Sequence, residues 1–175
     1  MFGCHQGIEV SCTVKQTKIH LLTVPALAIL FIDQITKLLI IRSLRVYESL
    51  VVVEGFFNIV HVRNRGMAFG FLNRSGGEMT FYFLLIATIA AVVLMLLWSW
   101  KLKPSEIGMI LGLSFIIGGA MGNLIDRLRH REVIDFLDFH VGSYHWPAFN
   151  MADTAITIGT FWVALHLFFH RTSSS

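Results

Sequence analysis

Two aspartates stand where a carboxylate needs an explanation. Asp135 lies in the run Val133-Ile134-Asp135-Phe136-Leu137-Asp138-Phe139, and Asp153 in Phe149-Asn150-Met151-Ala152-Asp153, at the start of a long apolar segment. An ionisable residue in or at a bilayer is costly and by default marks function. Two carboxylates about 3 Å apart cannot both ionise, so one keeps its proton. Such a pair can hydrolyse a peptide. The ionised member takes a proton from water, which attacks the scissile carbonyl, and the protonated member donates to the carbonyl oxygen. This chemistry needs no covalent intermediate, no metal and no other cofactor. In an extended strand Asp135 and Asp138 point to opposite faces. One is expected to be solvated and the other turned to the membrane.

Other polar residues cluster around these two. Asp126 and Arg127 follow Asn123 at i+3 and i+4, so the three share a helix face. Arg127 either clamps a peptide or lipid carbonyl or pairs with Asp126 to hold a loop; the spacing leaves both open. Asn150 lies one turn before Asp153. Asp33 and Lys37 are four residues apart on one helix, which predicts an ion pair that ties that helix to its neighbours. Gly118 and Gly122 have the small-xxx-small spacing that lets helices approach closely. Other chemistries lack their signatures. No Gly-x-Ser-x-Gly elbow is present. His130, His140 and His145 match no zinc-protease spacing, so no metal site is assigned. Cys4 and Cys12 lie outside every motif and read as incidental thiols. His166 reads as a hydrogen-bonded core residue.

The elements that must position these residues are membrane helices. Of the 175 residues, 55% are hydrophobic and 14% charged, against roughly 25% charged in a soluble domain. Four stretches are long enough to span a bilayer: Ile19 to Ile41, Met79 to Trp100, Ile107 to Leu124 and Phe149 to Phe169. The first contains Asp33 and Lys37 and is too long for the core of a cleavable signal peptide. The fold expected is an all-α membrane protein of four transmembrane helices, one domain over residues 1–175. Two long loops, about 42–78 and 125–148, share one side. In the first, Val51 to Val53 and the alternating run Phe57 to Arg63 predict strands, with a turn at Asn64-Arg65-Gly66. A small sheet at the membrane surface follows. Orientation is undecided by charge. The loop side carries eight Lys and Arg and the terminal side five, which by the positive-inside rule places the loops in the cytoplasm. Several of those arginines, however, sit inside motifs. The net charge of +3 with no basic run argues against a nucleic-acid partner.

These residues resemble the lipoprotein signal peptidase family, also called signal peptidase II. The resemblance runs from about Asp33 to Thr160. It rests on Asp33-Gln34-Ile35-Thr36-Lys37, on Asn64-Arg65-Gly66-Met67-Ala68-Phe69 and on Gly118-Gly119-Ala120-Met121-Gly122-Asn123-Leu124-Ile125-Asp126-Arg127. Val133-Ile134-Asp135-Phe136 and Phe149-Asn150-Met151-Ala152-Asp153 complete it. The resemblance implies that Asp135 and Asp153 form a catalytic dyad and that Asp138 does not. It implies that Asn64, Gly66, Asn123, Asp126, Arg127 and Asn150 bind substrate or support the dyad. The implied substrate is a prolipoprotein signal peptide whose cysteine carries diacylglyceryl, cut just before that cysteine by a monomeric enzyme among membrane lipids. The implied location is the bacterial inner membrane, with both termini cytoplasmic, the loops outside and the first loop forming a β-cradle. Two other readings are a transporter with intramembrane acids, which predicts carboxylates near the bilayer midplane, and a non-catalytic scaffold, which tolerates neutral replacements of both aspartates. The first 18 residues lie outside the resemblance.

Overall fold

Residues 4–66 and 77–172 are described by a computed structural model. Met67, Ala68 and Phe69 and the terminal Ser173 to Ser175 lie outside the described residues. In chain order the elements are α1 (Cys4–Ser43), β1 (Ser49–Val53), β2 (Phe57–Asn64), α2 (Gly77–Lys101), α3 (Ile107–His130), β3 (Val133–Val141), β4 (Tyr144–His145) and α4 (Met151–Thr172). All four helices are long and apolar enough to cross a membrane.

Among the helix boundaries that differ from the sequence expectation are the start of α1, the end of α3 and the start of α4. α1 begins at Cys4, so the polar stretch before Ile19 continues the spanning helix. α3 runs six residues past Leu124, and the second loop therefore starts at Arg131. Nothing between Ile125 and His130 breaks a helix, and Arg127, Arg129 and His130 place positive charge on its C-terminal dipole. Arg131 closes it in the left-handed region, at φ 59°, with its N–H on the Arg127 carbonyl at 2.9 Å. α4 starts at Met151, two residues after the expected Phe149. The Phe149 backbone is used by the sheet instead: its N–H donates to Leu137 O at 3.1 Å, and its carbonyl accepts from Phe136 and Leu137 at 3.0 and 2.9 Å.

The sheet is antiparallel in the order β1-β2-β3-β4. The expected two strands of the first loop are present. The strict alternation expected from Phe57 to Arg63 is not: Asn58, Val60 and His61 are all buried, because the β2–β3 register shifts between Ile59 and Val62. That bulge re-aims the end of β2. Beyond it Val62 pairs with Asp135 and Asn64 with Val133. The loop is thereby registered onto the strand that carries Asp135.

α3 is the central helix. Two-thirds of its apolar stretch is buried, against 22% or less in the other three, and it packs most extensively on α4 and α1. Lipid tails are as apolar as leucine, so close packing rather than the hydrophobic effect holds such helices together. Glycines provide the approach. A Cβ on Gly118 would sit 2.6 Å from the Ala26 carbonyl oxygen of α1, and one on Gly159 would sit 2.6 Å from the Gly112 carbonyl oxygen. A Cβ on Gly122 would collide with the Asp33 carboxylate. An apolar cluster of Leu102, Met109, Ile110, Leu113 and Val163 fills the end of the bundle away from the sheet. Lys18 ties that end by donating to the Trp100 and Leu102 carbonyls at 3.0 and 2.6 Å. Large apolar side chains such as Phe31, Phe83, Leu94 and Phe168 point outward, toward lipid.

Gly118→Val is expected to force α1 and α3 apart, at a cost of about 1–3 kcal/mol. Thermal unfolding in mild detergent should show a lowered midpoint; an unchanged midpoint would mean the contact is slack.

Candidate active site

Lys37 lies at the centre of the polar interior and is 2% exposed. Its ammonium donates to Asp33 Oδ2 at 2.8 Å, Asp126 Oδ2 at 2.7 Å and Asn123 Oδ1 at 3.1 Å. Three N–H bonds meet three acceptors, so the ammonium is saturated. The expected Asp33–Lys37 pair is present. Asp126 does not pair with Arg127, as one reading of the sequence allowed, because its carboxylate is taken by Lys37, Gln34 and the Ile134 N–H. It turns to α1 instead. The second carboxylate in the cluster is stabilised by N–H groups. Asp33 Oδ1 accepts from Ala152 N at 2.9 Å, at the N-terminus of α4, where the helix dipole favours negative charge. Asp126 accepts from Gln34 Nε2 at 3.0 Å and from Ile134 N at 3.3 Å. The cluster thus joins α1, α3, α4 and the first residues of β3.

Asp135 and Asp153 come together one layer further out. Asp135 projects from β3 and is 2% exposed; Asp153 lies in the first turn of α4 and is half-buried. Asn150 links them. It is the residue just before α4, and its Oδ1 accepts from Asp153 N at 2.9 Å while Asp153 Oδ2 accepts from Asn150 N at 3.3 Å. This reciprocal arrangement is a capping box. The Asn150 amide then donates to Asp135 Oδ1 at 2.8 Å and lies 3.2 Å from Ile134 O. Asn64 donates to the other oxygen, Asp135 Oδ2, at 2.9 Å. Asn123 donates to Asp153 Oδ1 at 2.8 Å. Because Lys37 holds Asn123 Oδ1, the Asn123 amide nitrogen has to face Asp153. Every carboxylate oxygen of the pair therefore carries one N–H bond. Burial pushes the Asp135 carboxyl up to about 7; the Asp153 charge adds to this, while the bonds from Asn64 and Asn150 and the Lys37 charge oppose it.

The other residues singled out by the sequence fall into place around this pair. Gly66 adopts φ +87°, and its N–H donates to Asn64 Oδ1 at 2.8 Å, closing a tight turn that orients the Asn64 amide. Arg127 is half-buried, donates to Asn123 O at 3.3 Å and lies within electrostatic reach of Asp153, Asp126 and Asp135. Asp138 is on the opposite face of β3 but is not solvated as expected. It is 7% exposed, held by Asn58 at 3.0 Å and His145 at 2.9 Å. Burial alone would raise its carboxyl; the bonds from His145 and Asn58 outweigh that and keep it below the usual carboxylate range. His140 stacks on His145 at 4.6 Å. Among the described residues no three His, Cys, Asp or Glu are grouped to hold a metal. His166 is half-buried beside Gly108, at the other end of the bundle. Sequence reasoning missed Gln34 and the second acid on Lys37. A single lysine facing two acids of the polar motifs was the available signal.

Comparison with known proteins agrees with this architecture. Residues 25–169 match the family described as Signal peptidase (SPase) II. The chain is 45% identical over 146 residues to a protein of Oleidesulfovibrio alaskensis named "Lipoprotein signal peptidase", covering 83% of this chain and 93% of the relative. It is 43% identical to the Alteromonas mediterranea protein of the same name over 88% of this chain and 83% of that one. Two solved structures described as bacterial membrane enzymes superimpose with TM-scores of 0.75 and 0.73, at 30% and 32% identity. They cover 87% and 82% of this chain and 90% of each neighbour. Fold and relatives define a multi-pass enzyme of the bacterial inner membrane. The chain belongs to the signal peptidase II family and is a peptidase, which sets aside the transporter and scaffold readings.

Lys37→Met leaves Asp33 and Asp126 buried without their cation. Breaking a buried ion pair in this way costs about 3–5 kcal/mol. The expected result is a much lower thermal midpoint, or no folded protein, while Lys37→Arg retains part of the stability.

Proposed function

We propose that Asp135 and Asp153 are the catalytic dyad of an aspartic endopeptidase that removes signal peptides from diacylglyceryl-modified prolipoproteins, cutting just before the modified cysteine. The observation that carries this reading is the convergence of two carboxylates from separate elements on one asparagine, Asn150, each oxygen bound by a single N–H. The name shared by the relatives carries the substrate class.

The two carboxylates differ in environment, and that difference supports separate roles. Asp153 lies at a helix N-terminus and accepts N–H bonds from Asn123 and Asn150; it is the ionised member and takes a proton from the attacking water. Asp135, buried and raised to about 7, keeps its proton and delivers it to the scissile carbonyl oxygen. Collapse of the tetrahedral intermediate returns a proton to the leaving amine, and no covalent enzyme intermediate forms. The half-buried Arg127, with no ion pair among the described residues, is placed to donate to a substrate carbonyl. Asn64, Gly66 and Asp126 hold the pair in place. One chain supplies both carboxylates, so a monomer suffices.

In this reading both termini are cytoplasmic and the sheet and dyad face outward. Lys18 joins the start of the first span to the α2–α3 turn, which puts that turn and the N-terminal end together, opposite the dyad. The excess of loop arginines has a structural account. Arg63 and Arg65 pair with Glu132, Arg131 pairs with Glu78, and Arg127 lies in the site. A diacylglyceryl anchor holds the substrate cysteine at the bilayer surface, level with a dyad at the mouth of the bundle.

The test is cleavage of a diacylglyceryl-modified prolipoprotein by purified protein in lipid. Asp135→Asn and Asp153→Asn are each expected to lose at least about 10³-fold in kcat, in keeping with removal of a group that acts on the reacting atoms. Asp138→Asn is expected to cut normally. Cleavage by either dyad variant at the wild-type rate sinks the assignment.

A pH profile gives a second check. The protonated form of Asp135 is the active one, so kcat/KM should fall about tenfold per unit as pH rises beyond about 7. A profile flat from pH 6 to 9 would exclude Asp135 as the acid.

A further inference from the structure

α3 and β3 are joined by only two residues, Arg131 and Glu132. Arg131 closes the helix, and Glu132, 8% exposed, lies at the corner between the helix that carries Asn123 and the strand that carries Asp135. Its carboxylate meets two guanidinium groups of the first loop. Oε1 pairs with Arg65 Nε at 2.5 Å and Oε2 with Arg63 Nη1 at 3.8 Å. Those arginines flank Asn64, the last residue of β2, which pairs with Val133 next to Glu132. Arg65 lies beyond the end of β2, where the ladder no longer fixes the chain. The Arg65 side chain is 78% exposed, and exposed ion pairs add little stability. The value of this contact lies in geometry: Asn64 must reach Asp135 Oδ2, which it does at 2.9 Å.

We infer that Glu132 is a positioning residue for the peptidase reaction, gripping Arg63 and Arg65 on either side of Asn64 so that the Asn64 amide stays on the Asp135 carboxyl. This rests on the reading of Asp135 as a member of the dyad. The groups that face Asp135 are the Asn64 and Asn150 amides and, at longer range, Asp153, Lys37 and Arg127. The Asn64 bond favours the ionised form of Asp135. Loosening it therefore raises the pH at which Asp135 loses its proton. A direct effect of the Glu132 charge has the opposite sign, because removing a nearby negative charge favours ionisation. The direction of the shift separates positioning from simple electrostatics.

The experiment measures kcat/KM against pH for the full chain in lipid, with a diacylglyceryl-modified prolipoprotein as substrate. Glu132→Gln is expected to lower kcat roughly tenfold, as misplacement near reacting atoms does, and to move the alkaline limb to higher pH. In an Asn64→Ala background it should change neither quantity further. Arg65→Met, made at an exposed side chain, should act in the same direction and vanish in the same background; it decides the matter if Glu132→Gln does not fold. A limb that stays in place or moves to lower pH, or effects that multiply with Asn64→Ala, overturn the inference. Asp135→Asn is run alongside. If it cuts, the dyad reading fails and takes this inference with it; if it is inactive while the Glu132→Gln limb is unmoved, only the role of Glu132 fails.

Discussion

A lysine that cannot reach water must find its hydrogen-bond acceptors inside the protein, and the arrangement around Lys37 follows from that constraint. Two buried carboxylates and one asparagine oxygen surround its ammonium. A lone buried charge is prohibitively costly, whereas a saturated cluster is tolerable. Each acceptor reaches on to a different part of the chain. Asp33 accepts from the Ala152 N–H in the first turn of α4, Asp126 accepts from the Ile134 N–H near the start of β3, and Asn123 turns its amide toward Asp153. Satisfying one cation therefore sets the relative position of three helices and a strand.

Order passes outward from that cluster through asparagine amides. An amide has an acceptor end and a donor end, so fixing one end aims the other. Lys37 fixes Asn123, the capping box fixes Asn150, and the Gly66 N–H fixes Asn64. Their donor ends then meet Asp153 and Asp135. Amide donors oppose the effect of burial on Asp135 less than a directly paired cation would, and its carboxyl stays raised. The contrast with Asp138, held low by His145 and Asn58, shows the same side chain tuned in two directions on opposite faces of one strand.

The bilayer supplies the remaining condition. Glycines on α3 let α1 and α4 come close enough for backbone groups and short side chains to meet, and close packing is what association in lipid rewards. The sheet adds what helices alone cannot provide. A bulge in β2 and the Phe149 bridge bring two loop segments onto β3, so residues far apart in sequence surround Asp135.

Composition and apolar run length were enough to establish four spanning helices, since a bilayer sets the length such segments need. The Asp33–Lys37 pair and the Gly118/Gly122 face were equally legible, because helical spacing alone makes those residues neighbours. The two strands of the first loop could also be read from local pattern, whereas the choice of Asp135 over Asp138 came from the family resemblance alone. Partners across the chain could not. Nothing local distinguishes Lys37 as the partner of Asp126, or Asn150 as the residue that spans both aspartates, or Glu132 as the one between Arg63 and Arg65. Nor could alternation within β2 foretell the bulge, which depends on its pairing with β3. Short-range periodicity is encoded in the order of residues; long-range pairing is decided only when the helices pack and buried polar groups compete for a limited set of partners.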